Sequence, residues 1–358
     1  MGRTICVRPR ALHRPGRRSK RQDMDQSLLD IARDGANRSA AERLLSFQGL
    51  KASSALELQS YDIDHFGDSE RYAGASSMPL SAGSTAIMRA RLSLPNLSLS
   101  LVRTFPRIIR GYQLAHAAAV VVPMDHVTTT RINGQSIGSS IVVLRGASDC
   151  LVYEPVGRMI GVIYFTPPAS GLWSRLDGYH LLSAAPDMLA SLRGQISTTL
   201  EIAANDPDLL NDPTSRASVE QSLLGAMDAA LETSVDIRST HATTSTYLRI
   251  VAEMESLIRH DLTIWHKTTE MAERVGVSVR TLQSATQAIC GMSPHRYSRV
   301  MRLWSVRRQL RNGPGRRSVK ACAIAHGFWH LSEFAASYRA AFGELPSETL
   351  YRSVRERS

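Results

Sequence analysis

Residues 270–285 read EMAERVGVSVRTLQSA, and this stretch decides the fold of the C-terminal third. Ala272 and Gly276 stand four apart. A helix-turn-helix needs a small residue where its two helices cross and a glycine where the turn takes positive φ. Met271, Val275, Val277, Leu282 and Ala285 sit at the offsets that pack one helix on the other, and Ser278 can cap the second. Alone, the match also fits a plain helical hairpin. It is not alone: VKACAIAHGFWHLSEFAASYRAAFG, residues 319–343, repeats it with Ala323 and Gly327. Cys322, Ala325, Phe328, Phe334, Tyr338 and Phe342 form its packing set, and Ser318 can cap its first helix. Two copies in one region make coincidence a poor explanation.

Between the copies lies SPHRYSRVMRLWSVRRQLRNG, residues 293–313. Ser293-Pro294 is a helix start and Asn312-Gly313-Pro314 a helix stop. The helix so bounded, about 17 residues, spans roughly 26 Å. Such a rod could hold two recognition helices about one DNA turn, roughly 34 Å, apart.

Charge agrees with this placement. The 358 residues carry a formal net charge of +11. Residues 1–23 are net +7, residues 24–245 net −5 and residues 246–358 net +9. A basic domain attached to an acidic one suits a polyanionic partner, although a basic, unengaged surface would give the same count. The four cysteines (Cys6, Cys150, Cys290 and Cys322) have no CxxC spacing, which speaks against a zinc ribbon or disulfide framework and fits a reducing cytoplasm. No apolar run reaches the roughly 18–20 residues of a membrane helix.

The N-terminal part reads differently. Residues 1–23 lack apolar periodicity and read as a disordered basic tail. A DNA-binding arm, a transit peptide and a translation start at Met24 all fit, and we favour the last. SLLDIARDG and AAERLLSF suggest short helices within 24–48. From about 84 to 166 the pattern is short strands: Leu97, Leu99 and Leu101 alternate with Ser98 and Ser100, the mark of a half-buried strand. Asn133-Gly134 marks a hairpin, and SIVVLRG, DCLVYEP and MIGVIYFTP follow as further strands of a barrel or sandwich. Helices follow between Asp187 and Leu231, where Val219, Leu223, Leu224, Met227 and Leu231 share a face. That stripe suits either a dimer contact or packing on the chain's own sheet. DIRSTHATTS, 236–245, reads as a linker.

The segment from about Tyr247 to Arg352 resembles the C-terminal DNA-binding domain of AraC/XylS-type transcription regulators. The matching pieces are MAERVGVSVRTLQ, GMSPHRYSRVMRLWSVRRQL, SVKACAIAHGF and LSEFAASYRAAFGELPSE. The resemblance implies an α+β chain of two domains. Residues 24–235 would be a sensor and dimerisation domain with a cupin-like β-barrel, 236–246 a linker, and 247–353 an all-α domain. The all-α domain would have seven helices, with two helix-turn-helix units joined by a long helix. It implies binding to double-stranded promoter DNA beside RNA polymerase, usually for activation, by a cytoplasmic homodimer that answers a small-molecule or other signal.

Residue by residue, the resemblance puts Arg280, Thr281, Gln283 and Ser284 on DNA bases. Arg and Gln are the types that pair guanine and adenine in two-point fashion. In the second helix Leu331, Ser332, Glu333, Ala335 and Ala336 face the DNA; Ser332, Glu333 and Ala336 are the base candidates, though an acid and alanines are poor hydrogen-bond readers. Thr286 stands where the family usually has a larger apolar residue. His295, Arg296, Arg299, Trp329 and His330 are the phosphate candidates. Arg302, Arg307, Arg308 and Arg311 suit a solvated face of the rod equally well, and Trp304 suits the core.

An enzyme reading finds little support. His116, His126 and His180 are isolated, with no HxH for a metal-dependent cupin. GQSIG, residues 134–138, fits GxSxG but falls on the expected hairpin rather than at a strand-to-helix turn, and no glycine-rich phosphate loop is present. Cys290 and Cys322 sit at packing positions. We therefore expect no catalytic residues, no metal and no cofactor. A metal-independent enzyme with a DNA-binding tail, or a non-sensing architectural DNA binder, are the alternatives. Arg89, Arg91 and Arg103 lie on or near expected strands and could pair an anionic effector of unknown identity.

Overall fold

The computed structural model describes residues 47, 50–62, 76–80, 86–168, 173, 176–238, 242–312 and 318–355. The basic tail at 1–23 and the helices expected at 24–48 therefore lie outside the described residues, as does the start at Met24.

Among the described residues the N-terminal part is one sheet of eleven strands. They are β1 Leu56–Asp62, β2 Ser76–Pro79, β3 Ala86–Ser93, β4 Leu97–Arg103, β5 Arg107–Pro123 and β6 Arg131–Ile132. Then come β7 Gln135–Ser136, β8 Ile141–Glu154, β9 Met159–Phe165, β10 Gly178–Ser183 and β11 Val235–Asp236. Their order is β1-β3-β4-β9-β5-β8-β10-β11, with β2 on β5, and β6 on both β7 and β8. The ladder is antiparallel in every pair. It starts well before residue 84 and continues past 166, and its path does not close on itself among the described residues. The reading of a barrel confined to 84–166 was thus too short, because β1 and β11 carry no long apolar run of their own and pair only as edge strands.

The β4 reading needs a correction as well. Ser98 and Ser100 are buried along with Leu97, Leu99 and Leu101. The reason is that both sides of this sheet are covered. Two helices, α1 Pro186–Asn205 and α2 Pro213–Glu232, serve the leucine side. A Cβ on Gly161, the β9 partner of Leu101, would meet Ile196 of α1 at 3.1 Å. The serine side turns inward with Val162 and Tyr164. In α2, Leu223, Met227 and Leu231 are buried within the chain, and Glu220 is buried where it accepts from Asn96.

Among the described residues seven helices follow: α3 Ala242–His260, α4 Thr268–Val275, α5 Val279–Cys290, α6 Pro294–Asn312, α7 Val319–Ala325, α8 Leu331–Phe342 and α9 Pro346–Arg355. The stretch 236–246 is not a plain linker. Asp236 is in β11, held by His180 Nδ1 at 2.8 Å and by Arg238. Helix α3 begins at Ala242, so its polar first turn hides inside what reads as a loop. Buried Ile250, Val251, Met254 and Ile258 then tie it to the helices that follow.

Asn133 and Gly134 both take positive φ, 52° and 82°, as the hairpin signal requires. This turn is docked on α5. A Cβ on Gly134 would meet Ile289 Cδ1 at 2.9 Å and the Ala288 carbonyl at 3.2 Å. Replacing Gly134 with alanine is expected to cost about 1–3 kcal/mol through strain and collision, seen as a lower thermal midpoint of the full chain. Asn133→Asp, which keeps the turn-forming shape, is the control.

Candidate nucleic-acid interface

Each helix-turn-helix is built by local rules. In the first, Gly276 ends α4 with φ 73°, and Val277 N–H bonds the Ala272 carbonyl at 2.9 Å. Ser278 Oγ accepts from Thr281 N–H at 3.0 Å and starts α5. In the second, Ser318 Oγ accepts from Ala321 N–H at 3.1 Å, and Gly327 turns the chain with φ 79°. Leu282, Ala285 and Ile289 bury one side of α5; Phe334, Tyr338 and Phe342 bury one side of α8. Thr286, unusual for an interior helix position, is fully buried and returns its hydroxyl to the Leu282 carbonyl at 2.9 Å. A hydroxyl bonded to its own helix can sit in the core without a lost hydrogen bond.

What remains outward on α5 is Arg280, Gln283 and Ser284, all exposed. Thr281 is half-buried and its hydroxyl is 2.8 Å from Ser278 Oγ, so it completes the cap. Gln287, one turn beyond Gln283 and Ser284, is exposed on the same stripe. Sequence reasoning passed over it, although spacing by three and four residues points to it. On α8, Leu331, Ser332, Glu333 and Ala336 are exposed and Ala335 is half-buried. Arg339 extends that stripe and was also missed.

The phosphate candidates gather where the N-terminal ends of α6 and α8 approach. Trp265, His295, Arg299, Trp329, His330 and Glu333 border a hollow of about 330 Å³. Trp265 donates Nε1–H to the Gly327 carbonyl at 2.7 Å and lies against His295 with ring centres 5.1 Å apart. Trp329 is 67% exposed, and His295, Arg296 and His330 are exposed. Arg299 is engaged already: it donates to Glu333 at 2.9 Å and to Ser337 Oγ. The pair joins the long helix to the second recognition helix, so Glu333 and Arg299 are seated by each other.

Two arginines of the rod reverse the solvated-face reading. Arg302 is wholly buried and Arg307 nearly so. Arg302 donates to the Leu262 carbonyl, to Ile264 O at 2.5 Å and to Ser298 Oγ at 3.2 Å, with its guanidinium 4.9 Å from the Trp265 ring centre. Burial pushes its pKa down to about 10, against the pull of Asp261. Arg307 pairs Glu344 at 2.7 Å and stacks over Phe342. Arg308 is exposed and Arg311 half-buried. Trp304 packs between the helical clusters and the sheet. Cys290 and Cys322 are buried, and burial raises the Cys290 thiol far above its ordinary range. A thiol held protonated is a poor nucleophile.

The sheet meets the first unit directly. Arg110 of β5 pairs Glu255 of α3 at 3.0 Å, and Glu255 also accepts from the Tyr297 hydroxyl. Arg131 Nη1 reaches the last carbonyls of α5, 3.4 Å from Ala288 O, where the negative end of the helix dipole favours a cation. Tyr153 packs on Gly291 so closely that a Cβ there would overlap its ring. The three arginines considered for an anionic effector are scattered in their roles. Arg89 is buried and donates to Gln59 Oε1 at 2.6 Å, Arg91 donates to Ser98 Oγ at 3.3 Å and Arg103 is exposed.

A family model described as a helix-turn-helix domain matches residues 271–352. The XylDLEGF operon transcriptional activator of Pseudomonas putida is 36% identical over 110 residues, 30% of this chain and 33% of that protein. The probable thc operon regulatory protein of Rhodococcus erythropolis is 39% identical over 82 residues, 23% of this chain and 25% of that protein. The match thus spans about a third or less of these two relatives. A solved structure of a probable AraC family transcriptional regulator from Rhodopseudomonas palustris is 33% identical, covering 29% of this chain and 96% of that one, with a TM-score of 0.27. These relatives are named as transcription regulators, not as enzymes.

Proposed function

Because the chain belongs, through its C-terminal helices, to the AraC/XylS family of transcription regulators, we propose that it binds specific promoter DNA and controls transcription there. The observation that carries this reading is the pair of helix-turn-helix units. Each has one buried face and one exposed face, and α6 and the Arg299–Glu333 pair join them. Arg280, Gln283 and Ser284, with Thr281 and Gln287 beside them, would contact bases from the first helix. Ser332, Glu333 and Ala336 would face bases from the second, contributing shape and apolar contact more than hydrogen-bonded readout. His295, Arg296, Arg299, Trp329 and His330 would seat the phosphates and so set register.

The same reading makes the protein an activator working beside RNA polymerase in the cytoplasm. It takes the N-terminal sheet as a cupin-like sensor for a small molecule or other signal. The domains would be a sensor at 24–235 and a DNA-binding domain at 247–353. A homodimer would form through the outer sides of the helices at 186–232. The names of the relatives support activation. The contacts of Arg110, Arg131 and Tyr153 with the first unit support control from the sheet, since a signal there has a route to α5.

Footprinting of the full chain on DNA upstream of its own and neighbouring genes, at two salt concentrations, tests the reading. A bounded footprint that survives salt is the expected result. Arg280→Ala and Gln283→Ala should each lose about 1–3 kcal/mol of base discrimination. Protection without boundaries, equal in both variants and erased by salt, would leave only phosphate binding.

A further inference from the structure

Among the described residues, three of the DNA-binding helices carry glutamate at their third position: Glu270 in α4, Glu333 in α8 and Glu348 in α9. A glutamate there commonly folds back and takes the N–H that precedes its own helix. Glu270 does so with the Lys267 N–H at 3.2 Å, and Glu348 with the Leu345 N–H at 2.6 Å. Glu333 is turned the other way. Its Oε1 accepts from Arg299 Nη2 of α6 at 2.9 Å, and the same nitrogen donates to Ser337 Oγ one turn along α8. Ser337 in turn donates to the Glu333 carbonyl at 2.6 Å. The carboxylate is thus drawn away from its helix start and held outward. Its side chain is 67% exposed, and Oε2 has no partner among the described residues.

The side on which it is held is the one a DNA groove would meet. Phe334, Tyr338 and Phe342 bury the opposite side of α8, while Ser332, Glu333 and Ala336 are exposed. Residues in the first turns of a recognition helix are those that reach base edges. Ala336, three residues on, ends in a methyl, so the carboxylate reaches beyond its neighbour. A bare carboxylate would be repelled by the phosphates. Arg299 offsets that charge at the spot, and its Nε and Nη1, without partners among the described residues, can meet a phosphate. An exposed pair of this kind adds little to folding.

A carboxylate only accepts hydrogen bonds. In the major groove guanine shows the acceptors N7 and O6, and thymine the acceptor O4. Adenine sets its N6 donor beside the acceptor N7, whereas cytosine shows the N4 donor alone. We propose that Glu333 reads a single cytosine in the part of the site covered by the second unit, taking the N4–H through Oε2. Arg299 is the positioning residue that aims it. The inference rests on the regulator reading above and deepens it, adding one hydrogen-bonded base to the shape and apolar contact expected of α8.

The experiment is selection of duplexes from a randomised library by the full chain, sequenced for the parent and for variants. The parent's selected site should hold one cytosine at which any other base weakens binding about fivefold or more. Glu333→Ala should lose the preference at that position and keep it elsewhere. Glu333→Gln should change it to adenine, the base that glutamine pairs at N6 and N7. A switch from one base to another cannot arise from a loss of fold. Arg299→Lys keeps a cation for the phosphates but lacks the planar group that spans Glu333 and Ser337. It should blur the cytosine position alone and spare the positions that Arg280→Ala loses. A Glu333→Ala pattern identical to the parent's, or a Glu333-dependent position that is not cytosine, would overturn the assignment. The regulator reading would then still stand on the positions lost in Arg280→Ala. A cytosine position as sharp in Arg299→Lys as in the parent would overturn the positioning role. No shared sequence among the parent's duplexes would overturn both readings.

Discussion

Arg302→Ala should lower the unfolding free energy of the DNA-binding helices by about 3 kcal/mol or more, which would place it among the most damaging substitutions in this region. The guanidinium satisfies the Leu262 and Ile264 carbonyls at once, and it also fills the space beside Trp265. Alanine takes the donor from both carbonyls and leaves a cavity beside Trp265. Trp265 in turn covers Gly327, the turn of the second unit. The loss should therefore loosen the second helix-turn-helix unit, although Arg302 is itself wholly buried. Arg302→Lys tests the cause: it keeps the charge but lacks the planar fork, and should recover only part of the loss. The midpoint of urea unfolding, followed by tryptophan fluorescence and circular dichroism together, is the measurement. A shift below about 0.5 kcal/mol, the size of an ordinary surface substitution, would refute the structural role.

Glu255→Ala should cost a similar amount, about 3–5 kcal/mol, because it removes the buried carboxylate that takes both the half-buried Arg110 and the Tyr297 hydroxyl. Glu255 is 3% exposed and receives Arg110 from the sheet and the Tyr297 hydroxyl from α6. Burial and this carboxylate together hold the Tyr297 hydroxyl protonated well above its ordinary range. The informative control is the double change Arg110→Met with Glu255→Leu. Removing both charges should restore much of the stability lost in the single variant, since the desolvation penalty goes with them. The double variant should also separate stability from control: the sheet would lose this tie to α3, and Arg259, which is exposed, would lose Glu255 as a partner. We expect its DNA affinity to become less responsive to any ligand of the sheet. Full loss of stability in the double variant would mean that packing around Ile108 and Met254, not the ion pair, sets the cost.

The helical third was legible because its signals are local. Gly276 and Gly327 announce positive φ, Ser278 and Ser318 announce caps, and Pro294 announces a first helical turn; each acts within four residues of itself. The same holds for Asn133-Gly134, whose turn formed where it was expected. The exposed stripe of α5 was also readable, because its opposite stripe is apolar at helical spacing. Where the reading stopped short, at Gln287 and Arg339, the period was simply not followed one turn further.

Long-range partners decided the rest, and no window of sequence contains them. Arg302 and Arg307 look like Arg308 in a run of basic residues, yet the two are buried and Arg308 is not. The difference is made by carbonyls at 262 and 264 and by Glu344, about 35–40 positions away. Ser98 and Ser100 read as a solvent face because the alternation of β4 says nothing of what covers each side. Arg107 and Arg158 were not singled out as cavity residues, since a strand pattern shows alternation but not which face encloses a void. Helix turns and caps are fixed by neighbours in the chain, so sequence determines them. The fate of a charge, or of the second face of a strand, depends on which distant segment arrives to meet it, and only the tertiary structure decides that.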